Sequence, residues 1–132
     1  MILVDTSVWI DHLRKGDSAL AAELDAGRVL MHPFVIGEVA LGHLVQRDRI
    51  LALMQDLPPA PVATHDETLA FIDRRRLAGR GIGYVDAHLL ASVALTGTAR
   101  LWSRDKRLAG IAITLGLSFQ RGGGTARERE KT

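Results

Sequence analysis

The chain has 132 residues, of which 47% are hydrophobic and 24% charged, and it contains no cysteine. This composition is sufficient for one globular domain with a core, and it excludes disulfide bonds, thiolate metal sites and a cysteine nucleophile. The net charge of +2 resides entirely in residues 121–132, so residues 1–120 are formally neutral. No signal-peptide pattern and no apolar run of membrane-spanning length occurs, so we expect a cytoplasmic protein that does not enter a membrane.

The first half of the chain alternates short apolar runs with helical patterns. Residues 2–5, which begin with the apolar run Ile2–Val4 and its β-branched members, are predicted to be a buried strand. Further predicted elements are helices at about 6–14 and 18–26, a brief strand at 29–31, and helices at about 33–45 and 47–56.

The second half continues the alternation. Thr64 and Glu67 have the spacing of a capping box, which predicts a helix from there to about residue 78. Further predicted elements are a helix at 85–95, a strand at 101–103, a helix at 105–115 and an edge strand at 117–119. The pattern favours a three-layer α/β fold with a central parallel sheet flanked by helices, in a single domain of residues 1–120. Residues 121–132 are predicted to be a disordered basic tail.

Two acidic residues follow predicted strands. Asp5 ends the first apolar run, and Asp105 follows the strand at 101–103 by a short step. Ligands of parallel α/β sheets bind beyond the carboxyl ends of the strands. Both carboxylates are therefore expected at the same edge of the sheet.

Two more acidic residues interrupt apolar helical stripes. Glu38 shares a predicted stripe with Leu41 and Val45, and Asp86 lies among the apolar residues of the helix at 85–95. A carboxylate that faces the core is costly unless it is paired, protonated or bound to a cation. If both helices begin at the ligand-binding edge, their acids converge with those that follow the strands.

Carboxylate oxygens select hard cations, so the four acids predict a Mg²⁺ or Mn²⁺ site at which a metal-activated water attacks a phosphodiester. Neighbouring hydroxyls are expected to orient the acids or waters as outer ligands; these are Thr6, Ser7 and Ser103. Basic residues cluster at 74–80 and 100–107, which suits a polyanionic substrate, although solvated helix faces give the same pattern. The histidines His12, His43 and His88 make no convincing pair and are expected to be non-catalytic.

Each acid also has an ordinary structural interpretation. Asp5 could cap the following helix, and Asp86 could stabilise a helix N-terminus through the helix dipole. Glu38 could be a protonated or arginine-paired core acid. Asp105 lies in the run Arg104–Arg107, which could be a solvated charge cluster.

Four segments taken in order resemble the PIN-domain ribonucleases, particularly the VapC-type toxins of bacterial toxin–antitoxin pairs. They are MILVDTSVWI at 1–10, FVIGEV at 34–39, GIGYVDAHLLA at 81–91 and LWSRDKRL at 101–108. Ser103 stands where the family often has threonine.

The resemblance implies a Mg²⁺- or Mn²⁺-dependent endoribonuclease acting on structured RNA. Its catalytic and metal-binding acids would be Asp5, Glu38, Asp86 and Asp105. It also implies a cognate antitoxin and a homodimer. Two alternatives remain: a PIN-like module that binds RNA or a partner without cleavage, and a receiver-like phosphotransfer domain, for which Lys106 is poorly placed.

Overall fold

A parallel β-sheet forms the centre of the protein in a computed structural model that describes residues 1–120. Its strands are β1 (Ile2–Val4), β2 (Val29–Leu30) and β3 (Arg100–Trp102), in the order β2-β1-β3. Leu3 is paired with Leu30 on one side and Leu101 on the other. All three residues of β1 are buried, as is typical of a parallel strand covered on both faces.

Single bridges extend the sheet at both edges. Leu101 pairs with Ser118, which is consistent with the edge segment predicted at 117–119. On the other edge Met31 pairs with Pro59, a contact that the sequence did not predict because two prolines normally interrupt a strand. An edge position tolerates proline because its missing N–H faces away from the ladder.

Seven helices flank the sheet within the described part of the chain, and they confirm the predicted α/β class. They are α1 (Thr6–Lys15), α2 (Ser18–Asp25), α3 (Pro33–Ala40), α4 (Arg47–Gln55), α5 (His65–Arg74), α6 (Tyr84–Thr96) and α7 (Lys106–Thr114). The longest of them, α6, has 13 residues, and none of the helices in residues 1–120 has the length and apolarity needed to cross a bilayer.

Two helices are shorter than predicted. Helix α3 ends at Ala40 instead of residue 45, and Leu41 and Val45 beyond it are 90% and 88% exposed. The prediction that Glu38 faces the core on an apolar stripe with Leu41 and Val45 is therefore wrong. Helix α5 ends at Arg74 instead of residue 78. Arg76 then adopts φ of 55°, in the left-handed region, which is incompatible with continuing a right-handed helix.

The ends of the strands bring several helix starts to one edge of the sheet. Asp5 follows β1 directly and precedes α1, and α3 begins three residues after β2. Asp105 lies three residues after β3 and precedes α7. The carboxyl edge thus gathers the segments in which the sequence predicts a site. The predicted disordered tail, 121–132, lies outside the described residues.

Candidate active site

Asp5 is the most buried acid of the site, with 5% of its surface exposed. Its backbone N–H donates to the Trp102 carbonyl at 2.9 Å, which continues the β1–β3 ladder by one residue. Although Asp5 occupies the N-cap position of α1, its side chain makes no capping hydrogen bond. The ordinary capping interpretation of its carboxylate is therefore excluded.

Two serines hold one oxygen of the Asp5 carboxylate. Oγ of Ser7 and Oγ of Ser103 donate to Oδ2 at 2.7 and 2.8 Å. The same hydroxyls accept from the segment after β3, with Ser7 bound by the Arg104 N–H at 2.9 Å and Ser103 by the Asp105 N–H at 3.1 Å. Oδ1 of Asp5 receives no hydrogen bond from residues 1–120 and so presents a free acceptor.

Glu38 lies on the exposed side of α3, contrary to the expectation that it faces the core. Oγ1 of Thr6 donates to its Oε1 at 2.7 Å and so ties α3 to the first turn of α1. Glu38 has no arginine partner among the described residues, which excludes the paired-core interpretation. Thr6 therefore contacts one of the predicted acids, as Ser7 and Ser103 contact Asp5.

Asp105 is also exposed, so the premise of four buried acids holds only for Asp5 and, in part, for Asp86. Oδ1 of Asp105 accepts from the Leu108 N–H at 3.0 Å and caps α7. This capping fixes the carboxylate of Asp105 at the carboxyl edge of the sheet.

Asp86 links the four acids electrostatically. It lies in the first turn of α6, where Oδ2 accepts from the Gly83 N–H at 3.3 Å. Burial raises the pKa of the Asp86 carboxyl, while the Gly83 hydrogen bond lowers it. The negative charges of the other three acids raise this pKa further; they belong to Asp5, Asp105 and Glu38. Asp86 therefore lies close enough to the other three carboxylates for their charges to affect it, although within residues 1–120 no three such side chains stand together as a metal cage.

Within residues 1–120, no cationic side chain forms an ion pair with these four acids. The ion pairs within residues 1–120 join Arg28 to Glu23, and Arg104 to Asp11 and Asp17, so none reaches the four acids. In the same part of the chain no group of three or more histidine, aspartate or glutamate side chains stands close enough to form a ready-made metal cage. Mg²⁺ takes only one or two carboxylates directly and keeps several waters, so an open, all-oxygen and uncompensated site fits a hard divalent cation.

The sequence did not predict a cluster of rings beside Asp86. His88 is buried, and its ring contacts Phe34 and Tyr84 edge to face at 4.8 and 4.6 Å between centroids. His32 is fully buried and has a pKa lowered to about 4, first by burial and then by the His88 charge. Oγ1 of Thr68 lies 3.3 Å from Nδ1 of His88. Burial also lowers the pKa of His88, so the uncharged ring is favoured at both positions. No local sequence signal distinguishes these two histidines from surface histidines.

Comparison with known proteins agrees with the geometry. A model of the PIN domain matches residues 2–113. The protein named Ribonuclease VapC32 is 55% identical over 119 residues in two strains of Mycobacterium tuberculosis, CDC 1551/Oshkosh and ATCC 25618/H37Rv. In each case the match covers 90% of this chain and 96% of the relative.

Two solved structures have the same fold. FitAcB from Neisseria gonorrhoeae superposes with a TM-score of 0.57 at 20% identity, covering 85% of this chain and 93% of that one. FitAB bound to an IR36 DNA fragment gives 0.57 at 18% identity, covering 85% and 90%. At these identities the likeness establishes the fold alone.

Proposed function

This chain belongs to the PIN-domain family as a VapC-type ribonuclease, and we propose that it cleaves structured RNA with a divalent cation held by its four carboxylates. In this proposal it is the toxin of a toxin–antitoxin pair. Divalent-metal use is implied by the family, and Mg²⁺ or Mn²⁺ is the ion that the oxygen donors favour.

One observation carries the proposal. Asp86 is half-buried, and the charges of three other carboxylates raise its pKa, yet no arginine, lysine or histidine of the described chain pairs with any of the four. An uncompensated cluster of this kind destabilises a protein that has no use for it. A bound divalent cation removes the repulsion and turns the cluster into a binding site.

The residues have distinct proposed roles. The free Oδ1 of Asp5 and the carboxylate of Asp86 are the inner ligands, because these two acids are the least exposed. Glu38 and Asp105, both exposed, hold waters around the ion. Ser7 and Ser103 orient Asp5, and Thr6 orients Glu38.

Hydrolysis requires a nucleophile, charge neutralisation and a proton acceptor. A divalent cation, when bound, lowers the pKa of water and neutralises charge on the phosphodiester. The acids outside the inner shell would accept the proton of the attacking water as its oxygen bonds to phosphorus. The bond from phosphorus to the leaving ribose oxygen then breaks, and that oxygen takes a proton from solvent. The chain needs no covalent nucleophile for this route, in agreement with its lack of cysteine.

The proposed antitoxin has a candidate docking surface. Helices α1 and α4 and the segment between α3 and α4 line a depression that includes Ile10, Leu13, Val45 and Ile50. Leu41, at 90% exposure, adds a further unpartnered apolar side chain of that segment. Apolar surface of this kind on one side of a small protein supports a protein partner. We also propose a homodimer and a cytoplasmic location, as expected from the family.

The second candidate function is a PIN-like module that binds RNA or a partner without cleavage. It is favoured by the absence, within residues 1–120, of a ready-made group of three metal-binding side chains. It is opposed by the presence of all four acids and by their mutual coupling.

Cleavage of RNA by the Asp5→Asn variant tests the proposal. The substitution keeps size and hydrogen-bonding capacity but removes the charge of an inner ligand, so we expect cleavage to fall at least about 1,000-fold while the fold persists. Asp25→Asn, an exposed acid at the end of α2, is the matched control and should cleave as the wild type does. A folded Asp5→Asn protein with full, metal-dependent activity would refute the proposal.

A further inference from the structure

The segment after β3 carries two groups of the proposed site on either side of an arginine. Ser103 donates to Asp5, and Asp105 acts on Asp86 through its charge. We propose that Arg104 is a positioning residue that fixes the Ser103–Asp105 segment to α1 and α2. The inference rests on the proposed function, since it concerns how that site is held in shape.

The Arg104 side chain joins two helices. Its Nη1 donates to Oδ2 of Asp11, on α1, at 2.7 Å, and its Nη2 donates to Oδ2 of Asp17, the N-cap residue of α2. Oδ1 of Asp17 accepts from the Leu20 N–H at 3.0 Å, so one carboxylate both caps α2 and binds Arg104. The Leu20 hydrogen bond and, after it, the Arg104 guanidinium lower the pKa of Asp17, which keeps it ionised.

Two further contacts fix the arginine from other directions. Its backbone N–H donates to Oγ of Ser7, the hydroxyl that also binds Asp5. Its guanidinium carbon lies 5.5 Å from the centroid of the Trp102 ring. The Arg104 side chain is therefore held by the Trp102 ring and by the carboxylates of Asp11 and Asp17. Its backbone is held by Ser7, which in turn binds Asp5.

Only arginine provides this geometry. A guanidinium presents several donors in a rigid plane and can bind two carboxylates at once, whereas a lysine ammonium acts as a point charge. The Arg104 side chain is 36% exposed, and ion pairs at such positions contribute little to folding stability. Loss of Arg104 is therefore expected to leave the fold and to loosen the segment that carries Ser103 and Asp105.

The test compares Arg104→Gln with Arg28→Gln. Arg28 also forms an ion pair, with Glu23, and its loss changes the net charge by the same amount. It directly precedes β2 and so lies at the edge of the sheet opposite the proposed site. In metal-free protein, Arg104→Gln should speed amide exchange at Asp105 and Leu108 about tenfold or more, with β1 amides unchanged. With metal and RNA, kcat should fall about tenfold at unchanged KM, since binding remains while the site is misaligned. Arg28→Gln should match the wild type in both measurements.

Two more variants separate positioning from other roles. Arg104→Lys should recover part of kcat, because an ammonium reaches one carboxylate. Asp11→Asn removes the charge of one of the two carboxylate partners and should lower kcat less than Arg104→Gln. The double variant should equal Arg104→Gln alone, because Asp11 acts on the site only through Arg104. If Arg104→Gln fails to fold, Asp11→Asn tests the same positioning role through its effects on amide exchange and kcat.

Several results would overturn the inference. Unchanged amide exchange together with unchanged kcat would show that the segment holds itself. An increased KM with a smaller salt dependence and unchanged kcat would assign Arg104 to an RNA phosphate instead. If Asp5→Asn is inactive while Arg104→Gln equals the wild type, the proposed function stands and this inference fails. If the wild type does not cleave RNA, the proposed function fails and the amide exchange alone decides the role of Arg104.

Discussion

At the scale of single residues, Asp5 shows how the fold holds a buried carboxyl group in one orientation. Two serine hydroxyls satisfy one of its oxygens and leave the other free, although the residue is only 5% exposed. Burial of a carboxylate with an unsatisfied oxygen is costly in the absence of a cation. The hydroxyls therefore orient Asp5 and leave one of its oxygens available, as its proposed role of metal ligand requires.

Ser103 tests this orientation. Ser103→Ala removes the donor to Asp5 and the acceptor of the Asp105 N–H, so two contacts of the site are lost together. Loss of this orientation should cost about 1–2 kcal/mol of transition-state stabilisation, so we expect kcat for RNA cleavage to fall about tenfold. Ser103→Thr retains the hydroxyl and should keep most of the activity. Equal kcat values for the alanine and threonine variants would contradict the assigned role.

Asp86 gives a prediction for the dependence of stability on pH. Its pKa is raised in the folded protein, so the folded state holds the proton more tightly than the unfolded state. The contribution of Asp86 to stability is thus most favourable below its unfolded-state pKa and is lost as pH rises through the folded-state value.

Asp86→Asn should therefore raise the Tm of metal-free protein at pH 7 by roughly a few °C. The asparagine keeps an oxygen that can accept from the Gly83 N–H. At about pH 3, where the carboxyl is protonated in both states, the difference should vanish. Thermal unfolding in the presence of a chelator measures both values, and a gain in Tm that is the same at both pH values would contradict the raised pKa.

At the scale of elements, the loop before α6 controls where Asp86 lies. Gly81 adopts φ of 83°, and a Cβ there would lie 2.6 Å from Nη1 of Arg107 on α7. Gly79 has a similar φ of 74° but open space around it. Both positions therefore favour glycine for their backbone conformation, and at Gly81 an added Cβ would also push the flexible end of the Arg107 side chain aside.

The pair Gly79→Ala and Gly81→Ala separates these two demands. Each alanine should cost about 1 kcal/mol of folding free energy because of its positive φ. Only Gly81→Ala should also displace Arg107 and lower the rate of RNA cleavage. Denaturant unfolding and kinetic assays of both variants measure the effects, and an equal loss of activity in both would show that the Arg107 contact does not matter.

The sequence allowed prediction of the elements whose signals are local. The capping box of Thr64 and Glu67 starts α5 as predicted, and the apolar run at 2–4 forms β1. The end of α3 was not predictable, because Leu41 and Val45 continue an apolar stripe in sequence while the chain leaves the helix and exposes both. Periodicity reports the spacing of apolar residues and does not show whether another element covers them.

The candidate site was predictable for a different reason. Parallel strands place their carboxyl ends at one edge, so the positions of Asp5 and Asp105 after two strands predicted a common location. Their degree of burial was not predictable, since it depends on neighbouring helices. The network of Arg104 was also missed, because its partners Asp11 and Asp17 lie about ninety residues away and the local run resembles a solvated charge cluster.

At the scale of the whole molecule, charge is distributed unevenly. Residues 1–120 are formally neutral, yet this balance includes four carboxylates gathered at one edge. The other residues of 1–120 are therefore net positive, and their exposed basic side chains include the arginines at 74–76 and 80 and Arg107. A positive surface attracts a polyanion, but a cluster of carboxylates repels it. A polyanion can therefore approach such a cluster closely only when a bound cation neutralises the carboxylates.

Binding of Mn²⁺ to metal-free protein tests the central claim most directly, because it requires neither the natural RNA nor the antitoxin. Isothermal titration of the wild type should show binding at millimolar Mn²⁺ or below. Binding should release more protons at lower pH, because more of the Asp86 carboxyl is protonated as the pH approaches its raised pKa. Asp5→Asn should weaken this binding at least about tenfold, and Asp25→Asn should not. Absence of binding by the wild type at millimolar Mn²⁺, or equal binding by Asp5→Asn, would contradict the account.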